Sequence, residues 1–494
     1  MENEDVKQHS IWKTTGGGVS YPRLAQDIEV DTAVIGGGIS GVLTAYLLAK
    51  EGQSVALVEA REIGNGCTGG TTAKLSAQHQ LIYAELIERE GLDIAKQYYE
   101  ANMEGIRHIG KIVEEHGVDC DFKEMDAFVF TQEHANVAEL RKEADAYRQI
   151  GIDGGMTDDI PLPLDTEGAL MMHGQAQFHP LKFLHGLLRE FKSMGGHIYQ
   201  HTRYMDKDYT DSGLLLTTDT NFTITCRQAV LATLFPVEDP HSFYSDTLKP
   251  MTTHLTAIPA PESLTHGMFI NVDDPMFTFR STYEDGEPIL VIGGKTHPTG
   301  NGESTDAKYE SIRNFAQREF GITGIRNGWS EHDMMTPDRR PFIGPIEKGD
   351  DKIYVMTGYN KWGFAFSGTA SRLITDLITG RDNRHTGLLS PGRDLSSWKQ
   401  DDGTSGNSVL DDAARLKNGE ARKFEQDGKP AGMYRDETGE LHFLDLACTH
   451  LGCEVGWNDG DETWDCPCHG SVFEGSGGVI AGPAKLPLKP IRPF

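Results

Sequence analysis

From Asp31 to Ala60 the chain reads DTAVIGGGISGVLTAYLLAKEGQSVALVEA. Ala33 to Ile35 are a short apolar run, and Gly36, Gly38 and Gly41 follow with G-x-G-x-x-G spacing. VLTAYLLAKEG continues with helical periodicity, and SVALVEA is a second apolar run that reaches Glu59. Strand, glycine turn, helix and strand in this register leave few choices of fold. The first glycine permits a tight turn, the second lets the backbone approach a pyrophosphate, and the third lets helix and strand pack closely. The helix N-terminus offers its free N–H groups to phosphates. Glu59, placed at the end of the second strand, is set to accept from ribose hydroxyls. The expectation is a Rossmann-like α/β domain that binds a dinucleotide; without the strand, helix and acid in register, the same glycines would signal only a turn.

Three further stretches decide which dinucleotide. They are GNGCTGGTTAKLSAQH (Gly64 to His79), GGHIYQHTRYMD followed by TCRQAVLATLFP, and TPDRRPFIGPI followed by KIYVMTGYNKWGFAFSGTASRLITDLITG. Together they resemble the D-amino-acid oxidase/glycine oxidase superfamily, from about Val30 to Arg381, with gaps of little similarity. The resemblance implies FAD and an interleaved fold: FAD parts at about 30–80, 190–240 and 330–381, and an α+β substrate domain at about 81–190 and 241–329. It also implies FAD contacts from Thr71, Thr72, Lys74, Tyr204, Gly358, Asn360, Lys361 and Gly363. Residues 1–29 read as an N-terminal extension. A second dinucleotide fingerprint is missing from the chain, which argues against an additional NADPH site.

Near the other end stands ACTHLGCEVGWNDGDETWDCPCHGSVF, Ala447 to Phe473, with four of the seven cysteines. Its pattern is Cys448-x-His450, fifteen residues, then Cys466-x-x-His469. A two-iron cluster takes thiolates on one iron, and imidazoles on the other raise its potential. A structural zinc site is the competing reading, but zinc favours C-x₂₋₄-C and H-x₃₋₅-H spacings. CTHLGC and CPCHGS resemble the Rieske [2Fe–2S] domain over about 407–494, an all-β module, with Cys448, His450, Cys466 and His469 as ligands. That resemblance further implies a Cys453–Cys468 disulfide between the cluster loops, a Ser471 hydroxyl donating to a bridging sulfide, and Pro483 in a loop over the cluster. High-potential members carry tyrosine where this chain has Phe473. Loss of that donor leaves the reduced cluster less stabilised, so a lower potential is expected. Residues 382–406, rich in Gly, Ser, Pro and Asp, read as a linker.

The 494 residues carry a formal charge of −28, which disfavours nucleic acid and anionic membrane surfaces as partners. The N-terminus, MENEDVKQHSIWKTTGG, lacks the basic start and apolar core of a secretory signal, and no apolar run is long enough for membrane insertion. The expected location is cytoplasmic, where clustered cysteines point to metal or redox chemistry.

A flavin takes two electrons from a substrate carbon and a Rieske cluster carries one at a time, so the expected activity is an FAD-dependent dehydrogenase relaying electrons to an external acceptor. An electron-transfer or redox-sensing protein without a small substrate, and an oxidase using O₂, are the alternatives. In glycine oxidase-like enzymes an arginine before the T-x-D-x-x-P-x-I-G turn binds the substrate carboxylate. Here Asp333 stands at that position, beside His332. An acid there would draw an ammonium, hinting at an amine substrate; a solvated turn is the plainer reading of this charge cluster. Arg339 or Arg340 could instead clamp a carboxylate. Lys361 and Lys74 are candidates for contacts near the isoalloxazine, where positive charge stabilises reduced flavin; each could equally be an ordinary surface lysine. Trp362 and Phe364 could flank the ring or belong to the core. His79 reads as a satisfied loop histidine and Cys67 as a buried thiol, while Cys120 and Cys226 have no assigned partner.

Overall fold

A computed structural model describes residues 9–261, 264, 266–300, 305–398, 416–426 and 428–491. The strand Ile28–Ile35 pairs in parallel with Val55–Val58 on one side and Thr223–Leu231 on the other. His197–Tyr199 extends the sheet beyond Val55–Val58, and Ile353–Thr357 extends it beyond Thr223–Leu231. Strands buried on both faces need continuous apolar runs, and VALV and IYVMT supply them. The helix Ile39–Lys50 is buried almost all round, because the helices Pro180–Ser193 and Gly363–Ile378 pack against it.

The second layer is a nine-stranded sheet. Its edge runs Asn327–Met335, Lys249–Pro259, Glu287–Pro298 and Phe277–Glu284, all antiparallel. Lys74–Leu75 lies at its far end, paired with Gly168–Gln177. The helices Ile82–Glu90 and Leu92–His116 occupy the first substrate segment. The interleaved α/β and α+β layers are those expected, but two stretches counted with the FAD parts, Lys74–Leu75 and the end of Asn327–Met335, pair in the substrate sheet instead.

The C-terminal module has a three-stranded sheet (Ala421–Gln426, Lys429–Arg435, Leu441–Asp445) and a four-stranded one (Gly456–Asn458, Thr463–Asp465, Val472–Glu474, Val479–Ala481). Leu444, Leu446, Val455, Trp464 and Phe473 fill the space between them. Among the described residues no helix is long and apolar enough to cross a membrane.

Two segments with little sequence signal are docked. In the N-terminal extension the helix Ile11–Thr15 buries Ile11 and Trp12, with the Arg280 guanidinium 4.7 Å from the Trp12 ring centre. In the segment read as a linker, Arg393 grips the fully buried Asp338 through Nε at 2.6 Å and Nη2 at 2.8 Å, and Arg340 Nε donates to it at 3.0 Å. Trp398 is buried beside Arg89 and donates to Glu90. Residues 382–398 of that segment therefore pack on the oxidoreductase core; residues 399–415 lie outside the described residues. Burial alone would raise the Asp338 pKa, but Arg393 and Arg340 outweigh it and hold the carboxyl below its usual range. Asp338→Ala would strand buried guanidinium charge and is expected to cost roughly 3–5 kcal/mol in urea unfolding. Because the shift is downward, the Asp338 contribution is complete above the usual carboxylate range and lost as pH falls below it. Arg393→Ala in the same background should add much less than its own cost, since the two groups form one unit.

Candidate functional site

A cavity of about 940 Å³ opens along the C-terminal ends of the parallel strands, lined by residues of the N-terminal segment, the flavin and substrate sheets and the C-terminal module. Gly36 adopts φ +112°, and a Cβ there would lie 2.4 Å from the Ala232 carbonyl oxygen. A Cβ on Gly41 would lie 1.9 Å from the Gly36 carbonyl oxygen. The turn can therefore close on the helix only with glycine at both positions, and Gly38 caps the helix without a side-chain bond. Glu59 accepts from Gly37 N at 2.7 Å and Arg61 N at 2.8 Å, which lays its carboxylate over the turn. A turn only glycine can make, a glycine-capped helix N-terminus whose first N–H meets Thr68 Oγ1 at 3.0 Å and a carboxylate beside it fit a dinucleotide with its ribose.

The wall opposite is pinned by long-range bonds to backbone carbonyls. Trp12 Nε1 donates to Thr71 O at 2.6 Å, Arg280 Nε to Thr72 O at 2.7 Å and Trp329 Nε1 to Gly70 O at 2.6 Å. Thr71, Thr72, Tyr204, Asn360, Lys361 and Gly363 all face the cavity. Gly363 opens the helix Gly363–Ile378, whose cap Trp362 makes no side-chain bond, so a second helix N-terminus points at the same space.

Lys361 Nζ donates to Thr253 Oγ1 at 2.7 Å and Thr296 Oγ1 at 2.6 Å, both on the substrate sheet. Burial lowers its pKa to about 8, against the pull of Asp333. Asp333 is fully committed: one carboxylate oxygen accepts from Met334 N at 2.8 Å and the other from Lys361 N. Burial raises its pKa to about 6.

Several expected site residues lie off the cavity or have their polar groups committed to other partners. Lys74 is off the cavity wall; its ammonium donates to Phe269 O and Thr278 Oγ1 at 2.5 Å each, because its strand belongs to the substrate sheet. Gly358 packs on Thr336 rather than facing the cavity, and the Asn360 amide is spent on Thr336 Oγ1 at 2.8 Å and Gly358 O at 2.6 Å. Arg340 is consumed by Asp338. His332 turns away from Asp333, and its Nε2 lies 3.2 Å from Asp465 Oδ2 in the C-terminal module. Burial alone would lower the His332 pKa, but Asp465 raises it above the usual value. His79 is buried, stacked on Trp362 at 4.3 Å, and pushed down to about 3 by burial, so it is neutral. Cys67 Sγ donates to His332 O at 2.7 Å.

The four-ligand set converges. His450 Nδ1 and His469 Nδ1 lie 3.2 Å apart, and the buried thiols of Cys448 and Cys466 hydrogen-bond each other. That bond holds the Cys448 thiol below its usual range and pushes Cys466 above it. Burial lowers both imidazole pKa values, His450 to about 4. Two imidazoles and two thiols brought together, the thiols to bind as thiolates, are the donor set a two-iron cluster needs. Cys453 and Cys468 form a disulfide across the two loops. Ser471 Oγ bonds Cys448 and accepts from Ala484 N at 3.0 Å. Phe473 is buried opposite Trp464, and Pro483 is buried next to Ala484.

The cluster loops also face the cavity, through Gly470, Val472, Ala481, Gly482 and Ala484. Lys13, Glu331, Phe235, Asp461, Asp465 and Lys485 gain their places only from this meeting of segments and carry no local sequence signal.

A flavin domain and a cluster domain sharing one cavity define a flavoprotein oxidoreductase with an attached iron–sulfur module. Residues 31–377 match the family described as FAD dependent oxidoreductase, and residues 407–492 match the Rieske [2Fe-2S] domain. The chain belongs to the FAD-dependent oxidoreductase family, carries a C-terminal Rieske domain, and takes FAD and a [2Fe–2S] cluster as cofactors. It is 39% identical over 98% of its length, and 97% of the relative's, to the YhfW protein of Bacillus subtilis (strain 168), whose name places it among Rieske 2Fe-2S iron-sulfur proteins. It is 22% identical, over 74% of its length and 86% of the relative's, to the gamma-glutamylputrescine oxidoreductase of Escherichia coli (strain K12). The crystal structure of glycine oxidase from Geobacillus kaustophilus superposes with a TM-score of 0.61 at 18% identity, over 76% of this chain and all of that one (100%), which shows a shared fold.

Gly41→Ala is expected to abolish FAD retention on purification while leaving iron content unchanged; Cys448→Ser should do the reverse, read by flavin absorbance and iron assay. Phe473→Tyr is expected to raise the cluster potential in a redox titration, because a hydroxyl near the ligand sulfurs stabilises the reduced state.

Proposed function

We propose that the protein is an FAD-dependent dehydrogenase that oxidises a small amine or amino acid in the cytoplasm and passes the electrons through its Rieske cluster to an external acceptor. The observation that supports this most is the single cavity whose walls include both the glycine cradle and the cluster loops. Bound FAD would supply acceptance of a hydride, two electrons, from the C–H bond beside an amine nitrogen, and the cluster would supply one-electron carriage. The relatives agree in chemistry: their names include gamma-glutamylputrescine oxidoreductase, glycine oxidase and L-proline dehydrogenase.

The chain's own residues narrow the substrate site. The resemblance to glycine oxidase-like enzymes aligns Asp333 with their carboxylate-binding arginine, and its oxygens are occupied by backbone N–H groups. On the cavity wall a buried cation faces the substrate sheet: Lys361, held by two threonine hydroxyls. It serves either to neutralise charge that develops on the reduced cofactor or to receive an anionic group of the substrate. His79, held to about 3 by burial and with both ring nitrogens bonded to Tyr98 and Ser76, is too weak a base to deprotonate an ammonium, which suits a substrate that enters as the free amine.

Anaerobic mixing of the holoprotein with a panel of amines and amino acids tests the reading. Flavin bleaching followed by the reduced-Rieske EPR signal is the expected result. No bleaching by any member would favour an electron-transfer or redox-sensing protein, and peroxide formed in step with turnover would favour an oxidase. Lys361 is charged below about pH 8, so the charge-dependent part of the bleaching rate should fall as pH rises through about 8. Lys361→Met should start slower and lose that limb.

A further inference from the structure

Rieske ligand histidines can meet a redox partner only if their ring edges are open. Here they are covered from within the same chain. The Phe235 ring centre lies 5.8 Å from that of His450 and 5.5 Å from that of His469. The His469 ring faces the Ser245 backbone, and Gly470 packs on Met334 and Pro250. Phe235 and His469 are 1% and 7% exposed. The residues just before Phe235, Thr233 and Leu234, are on the cavity wall.

Anchors surround this contact on both sides. On one side Lys485 Nζ donates to Met205 O at 2.6 Å and lies 4.9 Å from the Tyr204 ring centre, with Glu238 3.5 Å away; Arg203 Nη2 donates to Val479 O at 3.3 Å. On the other, Ser330 donates to Asp461, His332 pairs with Asp465, and Thr305 N donates to Asp459 Oδ1 at 2.9 Å.

We propose that the imidazole edge of the cluster site is an inward port, facing the flavin cavity of its own chain, and that the external acceptor takes electrons from a different face of the Rieske domain. Phe235 and Lys485 are positioning residues for this arrangement. The inference rests on the relay reading above.

Treatment of the holoprotein with diethyl pyrocarbonate, followed by peptide mass spectrometry, tests it without substrate or turnover. His134 and His241, with side chains 90% and 89% exposed, are internal references. His469 is expected to react at least about tenfold more slowly than these, since reaction requires the interface to open locally, and His450, partly buried, more slowly too. Lys485→Glu, which sets like charge against Glu238, and Phe235→Ala should each accelerate His450 and His469 without changing the references. Reaction of His469 in the unaltered protein as fast as the references, with the Rieske EPR signal intact, overturns the inward port alone. Unchanged protection in both variants overturns it as well. A dithionite-reduced preparation with no Rieske signal overturns the relay reading and this inference together.

Discussion

The alternation of one strand sets how the two redox modules meet. Along Asn327–Met335, Trp329, Glu331 and Asp333 turn toward the flavin cavity, where they meet Gly70, Cys67 and Lys361. Ser330, His332 and Met334 turn the other way and meet Asp461, Asp465 and Gly470 of the Rieske domain. Side chains in a strand change face at every residue, so a slip of one position would exchange the two sets. It would bring Glu331 or Asp333 against Asp465, two carboxylates in a site with little water. Burying the His332–Asp465 pair has its own desolvation cost, of several kcal/mol per ion. The pair therefore adds little to net stability and much to specificity: only one placement of the Rieske domain satisfies both groups.

The neighbouring strand repeats the division. Thr253 faces Lys361, while Thr252 and His254 lie behind it, bonded to Thr299 and stacked on His297 at 5.4 Å. The edge of the substrate sheet is thus a partition one strand thick, with an active-site face and a docking face. The protein as a whole is strongly acidic, at −28. Among described residues the cavity nevertheless has six Lys and Arg against four Asp and Glu on its walls. A cationic hollow in an acidic body, with two helix N-termini aimed into it, concentrates field where a pyrophosphate lies.

What was legible in the sequence follows from the range of the contacts. The glycine turn and the cluster ligands could be read because their geometry is local: Gly36 and Gly41 touch within a few residues, and each cluster loop brings a Cys and a His at short spacing. Residue type alone misled at Lys74 and His332. Both are polar residues beside motif positions, and pairing partners almost 200 residues and 133 residues away decide where they point. The adjacency of His332 and Asp333 suggested one shared site, whereas strand geometry sends them to opposite faces. Lys13 and Trp12 lie in a segment without periodicity, and only the burial of Trp12 under Arg280 shows it to be part of the cofactor wall. Arg393 and Trp398 sit in a stretch whose Gly, Ser and Asp content signals a linker, because composition does not report a bidentate grip on a buried aspartate.

The closeness of the docking face bears on how the modules work together. A Cβ at Gly456 would lie 2.5 Å from the Gly300 carbonyl oxygen, and one at Gly460 would lie 1.9 Å from a Thr305 methyl. The approach at Gly456 is backbone to backbone, a feature of packed interiors where neighbours cannot yield by rotating a side chain, and at Gly460 the Thr305 side chain fills the space a Cβ would need. A domain that left the flavin for each delivery would have to rebuild these contacts together with two buried polar pairs at every cycle. A domain that stays needs them only once, and in staying it closes the cavity with its own cluster loops. The fit at Gly456 and Gly460 therefore argues that the Rieske module is a wall of the flavin site first and a carrier second.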